Sequence, residues 1–134
     1  MLLKGVLPLF LLTMSSFATL APATAQDTNE PKMLAAGDLV APDAPGVHVL
    51  TFLIEFAPGA KVPTHSHGGA GQVLMISGSL DLTRADGTTT TYNAGDTIDE
   101  PKDDVHSGVI SGTGPATMVW TLVLPDGAEM ETLH

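Results

Sequence analysis

The chain has 134 residues, of which fifteen are acidic and five are lysine or arginine, and it has no cysteine. Its negative charge would be repelled by the phosphates of a nucleic acid and by an anionic membrane surface, so neither is an expected partner. The lack of cysteine excludes thiolate metal ligands and cysteine nucleophiles, but it neither favours nor opposes an oxidising compartment. A small-molecule ligand or substrate is the expected partner.

The N-terminal segment has the order of a secretory signal peptide. Lys4 supplies a positive charge, residues 6–12 are apolar, and small residues precede Ala25. We expect cleavage after Ala25 and a periplasmic or secreted mature protein, with residues 1–25 removed. The alternative is a membrane anchor, but Pro8 and the hydroxylated residues that follow interrupt the apolar run before the roughly 20 residues that a span needs.

Cleavage would leave Gln26 to His134, which is 109 residues, with a net charge of −11 because Lys4 is lost. This length is typical of a single domain with its own core. Residues 26–46 are rich in Pro, Ala, Asp and Gly, which predicts a flexible lead-in with room for one short strand around residues 33–40. The folded domain is expected to span residues 47–134.

Beyond residue 46, runs of apolar and β-branched residues alternate with turn signals, and none shows the 3.6-residue period of an amphipathic helix. This pattern predicts an all-β domain, either a sandwich or a jelly-roll barrel. Asp86-Gly87 is a strong hairpin signal, because both residue types tolerate the positive φ of a tight turn. The predicted strands cover residues 47–56, 61–65, 72–77, 80–84, 88–92, 97–100, 105–110 and 116–124.

Three histidines form a candidate metal site. His65 and His67 are separated by one residue, so an extended chain places both imidazoles on one face. His106 begins another β-type run just beyond Pro101, where antiparallel pairing can bring it opposite the first two. Three imidazoles with an open position are typical of a catalytic metal site rather than a closed structural one. Nitrogen donors without thiolate suit one divalent transition metal (Fe, Mn, Ni, Co, Cu or Zn) rather than Ca or Mg.

Two further residues are candidates for this site. Gln72 can add a neutral carboxamide ligand, which would leave the ion its full double charge and favour an anionic or enolisable substrate; otherwise it is a surface glutamine. Glu100 stands at a strand end beside Pro101, from which it could serve as a general base or as a surrogate carboxylate ligand. The alternative for Glu100 is that it belongs to a solvated acidic loop over residues 99–104.

The spacing of these residues resembles the paired motifs of the cupin family, which comprises small β-barrel proteins. The resemblance covers roughly residues 47–123 and implies a double-stranded β-helix, or jelly-roll barrel. The first motif contains, in order, Gly59, five residues, His65, one residue, His67, four residues, Gln72, five residues and Gly78. The second contains Gly95, five residues, Pro101, one residue, Asp103, two residues and His106.

The resemblance implies a ligand set as well as a fold. The glutamate ligand of the family has no clear match, because counting forward from the second histidine gives Gln72, whereas counting back from Gly78 gives Gly71. Some cupins resemble this chain in using three histidines alone or with glutamine, so a metal is still expected. Asp103 stands where the family usually has glycine. The family's histidine ligands fall on His65, His67 and His106.

Three functions are consistent with the sequence. The favoured one is a metal-dependent enzyme acting on a small molecule, such as a dioxygenase, an isomerase or a lyase. The others are a non-catalytic module that binds a metal or small ligand, and a degenerate cupin without metal. His48 and His134 are expected to lie outside the site, at a strand end and a frayed terminus. Because many cupins pair through strand edges, a homodimer is also expected.

Overall fold

The computed structural model describes residues 29–134, so the predicted signal peptide lies outside the described residues. This range folds into ten antiparallel strands without an α-helix, which confirms the predicted all-β jelly-roll barrel. No helix in it meets the length and hydrophobicity needed to cross a membrane. The strands are β1 (Lys32–Val40), β2 (Val47–Phe56), β3 (Lys61–Ser66), β4 (Ala70–Ser77), β5 (Ser79–Arg84), β6 (Thr89–Asn93), β7 (Thr97–Glu100), β8 (His106–Ile110), β9 (Ala116–Pro125) and β10 (Thr132–Leu133).

The strands form two five-stranded sheets that enclose the core between them. One sheet has the order β1-β2-β9-β4-β7 and the other has the order β10-β3-β8-β5-β6. Side chains alternate between the two faces of each strand, so Val73 and Met75 on β4 are buried while Leu74 and Ile76 face outward. The inner faces meet in an apolar core that includes Ile54, Phe56, Leu80, Leu82, Ile98, Ile110 and Met118.

The strand that the sequence allowed around residues 33–40 is present, and it joins the lead-in to the first sheet. Lys32–Val40 forms a nine-residue strand paired with β2, from Lys32 opposite Glu55 to Val40 opposite His48. All nine residues are exposed, so backbone pairing rather than side-chain burial holds the strand in place. Within residues 29–134, β1 lies at one edge of its sheet.

Glycines at two turns permit sharp changes of direction. Gly78 separates β4 from β5, and there the chain passes from one sheet to the other with a φ of 77°. A Cβ at Gly78 would lie 2.7 Å from Ala116 Cα, so this position also requires glycine for space. The β5–β6 hairpin is confirmed, but of Asp86 and Gly87 only the glycine has positive φ, and the Gly87 N–H donates to the Arg84 carbonyl. The turn is thus a three-residue loop with glycine in the left-handed position.

His48 joins three segments at the outer edge of the first sheet. Its Nδ1 lies 3.0 Å from Asp38 Oδ1 on β1, and its Nε2 lies 3.0 Å from Asp126 Oδ1 beyond β9. The hydrogen bond and charge of Asp38, aided by Asp126, raise the pKa of His48 above 6.5. As predicted, His48 lies away from the three candidate histidines.

We expect the contribution of His48 to stability to depend on pH. A raised folded-state pKa means that the contribution is fully present below the unfolded pKa near 6.5 and is lost as the pH rises through the folded value. His48→Gln should therefore lower the melting temperature by a few degrees at pH 5.5 and by nearly nothing at pH 9. Lys32→Gln, which breaks the exposed pair with Glu55 on the same strands, is the control and should show no such pH dependence. An equal effect of His48→Gln at both pH values would contradict this.

Candidate metal centre

The three candidate histidines converge at one point inside the barrel. His65 on β3 lies directly opposite His106 on β8, and His67 follows immediately beyond the end of β3. One nitrogen of each ring lies within 4.8 Å of the corresponding nitrogens of the other two. The side chains are buried, with relative exposures of 5%, 4% and 2% for His65, His67 and His106. The predicted convergence is confirmed.

Backbone carbonyls orient all three rings in the same way. Each Nδ1 donates to a carbonyl, and in a neutral imidazole this leaves Nε2 as a bare lone pair. The three Nε2 atoms are therefore free to act as ligands toward the same point. The carbonyls that accept from His65, His67 and His106 are those of Pro63, Met130 and Asp104, at 2.7, 2.9 and 3.0 Å.

Glu100 brings a carboxylate to this cluster from the opposite sheet. Its Oε1 lies 3.4 Å from Nε2 of His106, and its Oε2 lies 3.5 Å from Nε2 of His67. Glu100 is only 5% exposed, and Nε2 of His106 has no hydrogen-bond partner within residues 29–134. Buried lone pairs that face a buried carboxylate require a cation or a proton between them. Three imidazoles and one carboxylate fit a divalent transition metal.

The pKa values of His65, His106 and Glu100 change in the directions expected when imidazoles and a carboxylate are buried close together. Burial lowers the pKa of His65. Burial would also lower the pKa of His106, but the nearby Glu100 carboxylate outweighs it and leaves this pKa raised. Burial would raise the pKa of Glu100, yet His106 and His67 hold it below its usual value. Both pKa directions follow from the close approach of the Glu100 carboxylate to the imidazoles of His106 and His67.

Trp120 on β9 fixes the carboxylate from the other side. Its indole Nε1 donates to Oε2 of Glu100 at 2.9 Å. The same ring packs beside His67, with centroids 4.7 Å apart, and stacks on Phe52 at 5.3 Å. Trp120 is thus a wall residue of the site, and its N–H restricts where Glu100 can point.

The chain beyond β9 also shapes the site, although the sequence had given it no role. Met130 provides the carbonyl for His67, and β10 pairs with β3 so that Leu133 lies opposite His65. The expected frayed terminus at His134 is wrong, because its N–H donates to the Thr64 carbonyl at 2.9 Å. In the sequence, β10 corresponds to only two residues, one polar and one apolar. A pattern this short does not predict a strand.

The loop between β7 and β8 is bound to the same histidine. The N–H of Asp103 donates to the carbonyl of His67 at 2.9 Å, and Asp103 has a φ of 63°. This left-handed conformation explains why the second cupin motif usually has glycine there. Aspartate is among the few other residues that tolerate it.

The structure does not bring Gln72 into the site, so its predicted ligand role needs correction. Gln72 is exposed on the outer face of β4, where its Nε2 donates to Asp99 Oδ1 at 2.9 Å. Strand alternation is the reason, because buried Val73 faces the core and its neighbour Gln72 must face away. The position that faces inward is Gly71, as the count back from Gly78 gives.

The histidine cluster opens into an apolar cavity of about 540 Å³. Residues before and within β1, together with Glu131 and Leu133 near the other end of the described chain, line its mouth. Beside the three histidines and Glu100, the polar side chains of Asn29, Glu30, Lys61 and Glu131 line the cavity, so a bound molecule would meet both apolar and polar walls. The apolar lining includes Met33, Ile54, Phe56, Val62, Val73, Leu80, Leu82 and Met118.

Similar structures share this barrel. An uncharacterized conserved protein with a double-stranded β-helix domain from Klebsiella pneumoniae subsp. pneumoniae is 21% identical, with 81% of this chain and 88% of that chain covered and a TM-score of 0.61. The DMSP lyase DddQ from Ruegeria pomeroyi is 17% identical, with coverages of 74% and 50% and a TM-score of 0.57. The oxalate decarboxylase of Bacillus subtilis, a protein with Mn(II) centers, is 24% identical, with coverages of 63% and 23% and a TM-score of 0.52.

At these identities the likeness shows the fold alone. Among curated proteins, none matches this chain. A family model for the cupin domain matches residues 52–122, which is just over half of the chain and includes β3 to β8 and all three histidines. The chain therefore belongs to the cupin family.

Proposed function

We propose that this cupin holds one divalent transition metal ion on His65, His67 and His106 and is a metal-dependent enzyme acting on a small molecule. The observation that carries the proposal is the convergence of three buried Nε2 lone pairs, each fixed by a carbonyl at Nδ1, on one point at the end of a cavity. Burying three unpaired nitrogen lone pairs together costs free energy unless a cation binds them. It leaves room on the cavity side for a substrate oxygen.

The cavity defines the kind of substrate. A bound metal supplies a Lewis acid for a substrate oxygen or a bound water. The apolar walls select a molecule with a small apolar body and one oxygen-bearing head, and this includes carboxylates and enolisable carbonyl compounds. The side chains of Val62, Leu82 and Met118 would hold the body while the histidine end receives the head. A dioxygenase, isomerase or lyase reaction is compatible with this arrangement.

A non-catalytic binding module is the second candidate, and one observation favours it. Glu100 is the only buried carboxylate within residues 29–134, and the Trp120 N–H already binds it. The other carboxylates that line the cavity, those of Glu30 and Glu131, are exposed, and Glu131 Oε2 lies 4.0 Å from Nε2 of His65. A base for turnover would have to be one of these exposed groups, a water or the substrate itself.

Loss of a histidine should remove the metal without unfolding the barrel. His65→Ala or His67→Ala should reduce metal content from one ion per chain to a small fraction, as measured by elemental analysis of untagged protein. The apolar core lies between the sheets and supplies most of the stability, so circular dichroism should still show a β-protein. His48→Ala is the matched control and should retain its metal. Full occupancy in both site variants would contradict the proposed centre.

Filling the cavity should impair the reaction but not the metal. Val62→Phe adds a ring at the half-buried cavity wall, whereas Val109→Phe adds the same ring on the exposed face of neighbouring β8. Oxygen uptake and loss of ultraviolet absorbance would be followed with a panel of β-diketones and short carboxylates. We expect Val62→Phe to lower kcat/KM for any active compound at least tenfold, which is about 1.4 kcal/mol, and Val109→Phe to leave it unchanged. Equal effects of the two variants would place the reaction outside this cavity.

We also propose export, which the order of charge and hydrophobicity in residues 1–25 supports. Expression of the full chain in a bacterial host should yield periplasmic or secreted protein whose intact mass corresponds to a start at Gln26. Ala25→Arg should slow cleavage and leave the longer chain with the membrane fraction, while Ala35→Arg on exposed β1 should have no effect. Recovery of uncleaved protein in the cytoplasm would contradict export.

A further inference from the structure

We propose that Glu100 is the fourth ligand of the metal and takes the place of the glutamate that the first cupin motif lacks. The carboxylate would reach the ion from β7, across the strand pair, rather than from β4. This inference rests on the metal centre proposed above and adds a residue to it. It assigns Glu100 the surrogate-ligand role and not that of a general base.

Strand alternation identifies the position where the side chain is missing. Val73 and Met75 on β4 face the core with exposures of 4% and 1%, so Gly71 faces inward and Gln72 outward. The inward position has no side chain. Glycine at this point of an inner face removes any ligand that β4 itself could contribute near the histidines.

The Glu100 side chain occupies the space above that glycine. Gly71 and Glu100 are directly opposite residues in the β4–β7 pair, so they share a face of the sheet. A Cβ built on Gly71 would lie 3.2 Å from Glu100 Oε2 and 3.0 Å from Trp120 Nε1. A side chain at position 71 would therefore crowd the observed position of Glu100, and the glycine on β4 leaves room for the carboxylate from β7.

Each oxygen of the carboxylate lies at the spacing from one imidazole nitrogen that two ligands of one ion have, with Oε1 facing His106 and Oε2 facing His67. Two donors that bind one ion at roughly 2.0 to 2.2 Å lie about 3 to 3.5 Å apart. The carboxylate oxygens of Glu100 lie 3.4 Å from Nε2 of His106 and 3.5 Å from Nε2 of His67. The Trp120 N–H takes one lone pair of Oε2 and orients the group, as outer partners of metal-bound carboxylates commonly do.

A carboxylate ligand changes the expected chemistry of the centre. With three neutral histidines and one carboxylate, a dication has a net charge of +1 instead of the +2 that a glutamine ligand would leave. The ion would bind more tightly and would be a weaker Lewis acid. The preference for anionic substrates that was inferred from Gln72 is therefore reduced, and a neutral, enolisable substrate gains by comparison.

The test compares removal of the carboxylate with its transfer to the motif position. Binding of Mn²⁺ and Zn²⁺ to metal-free, full-length protein would be measured by calorimetry, and the Mn²⁺ complex by electron paramagnetic resonance. We expect Glu100→Gln to lower affinity roughly tenfold or more and to change the zero-field splitting of Mn²⁺. Asp99→Asn is the matched control, because it removes an equal charge from the adjacent, outward-facing residue, and it should change neither.

Moving the carboxylate from position 100 to position 71 should restore the metal affinity that is lost when Glu100 is replaced. The double variant Gly71→Glu/Glu100→Ala moves the carboxylate to β4 and should recover most of the affinity lost in Glu100→Ala. If the double variant does not fold, the comparison of Glu100→Gln with Asp99→Asn decides the matter alone. Equal affinity and equal spectra for wild type and Glu100→Gln would overturn this ligand but leave the histidine centre standing. Failure of the wild type to bind either ion would remove the centre itself.

Discussion

The arrangement of the barrel interior depends on one constraint, which is that bare imidazole lone pairs cannot be buried together without a positive charge among them. Every local feature around His65, His67 and His106 strengthens that requirement. Carbonyl acceptors fix the protons on the far nitrogens, the strand pairing of β3 with β8 holds two rings opposite each other, and a carboxylate approaches from the facing sheet. The apolar side chains that line much of the cavity beside them offer these atoms no hydrogen-bond partner.

Much of the fold was predictable because the strands that build the core bury alternate side chains. The eight predicted strands are all present, and the convergence of the histidines followed from a two-residue spacing and one antiparallel pair. β1 was expected only as a short strand around residues 33–40 and β10 was not predicted, since the residues of both are exposed and their order comes from backbone pairing. Alternation of apolar and polar residues predicts strands with one buried face. Strands that are held only by backbone pairing do not need this pattern, so the sequence predicts them poorly.

The fourth ligand position shows a different limit of sequence reasoning. The motif spacing could be counted in two ways, and only strand alternation distinguishes the outward Gln72 from the inward Gly71. The group that fills the inward space belongs to another strand, nearly thirty residues later in the sequence. A motif describes contributions along one segment, whereas the barrel interior accepts a side chain from any strand that borders the same space. Glu100 had been singled out for its place beside Pro101, but the sequence could not distinguish a solvated loop from a buried carboxylate.

The carbonyl of Met130 that orients His67 has a consequence for the order in which the protein matures. The ring it holds is encoded more than sixty residues earlier, so a nascent chain emerging from the ribosome presents the first two histidines long before their orientation is fixed. Metal capture with the final geometry is then a late event that follows synthesis of the segment after β9. Under the proposed export, translocation of an unfolded chain would postpone it further. The ion that is bound would then reflect the metals available where the protein completes folding and not those of the cytoplasm where it was made.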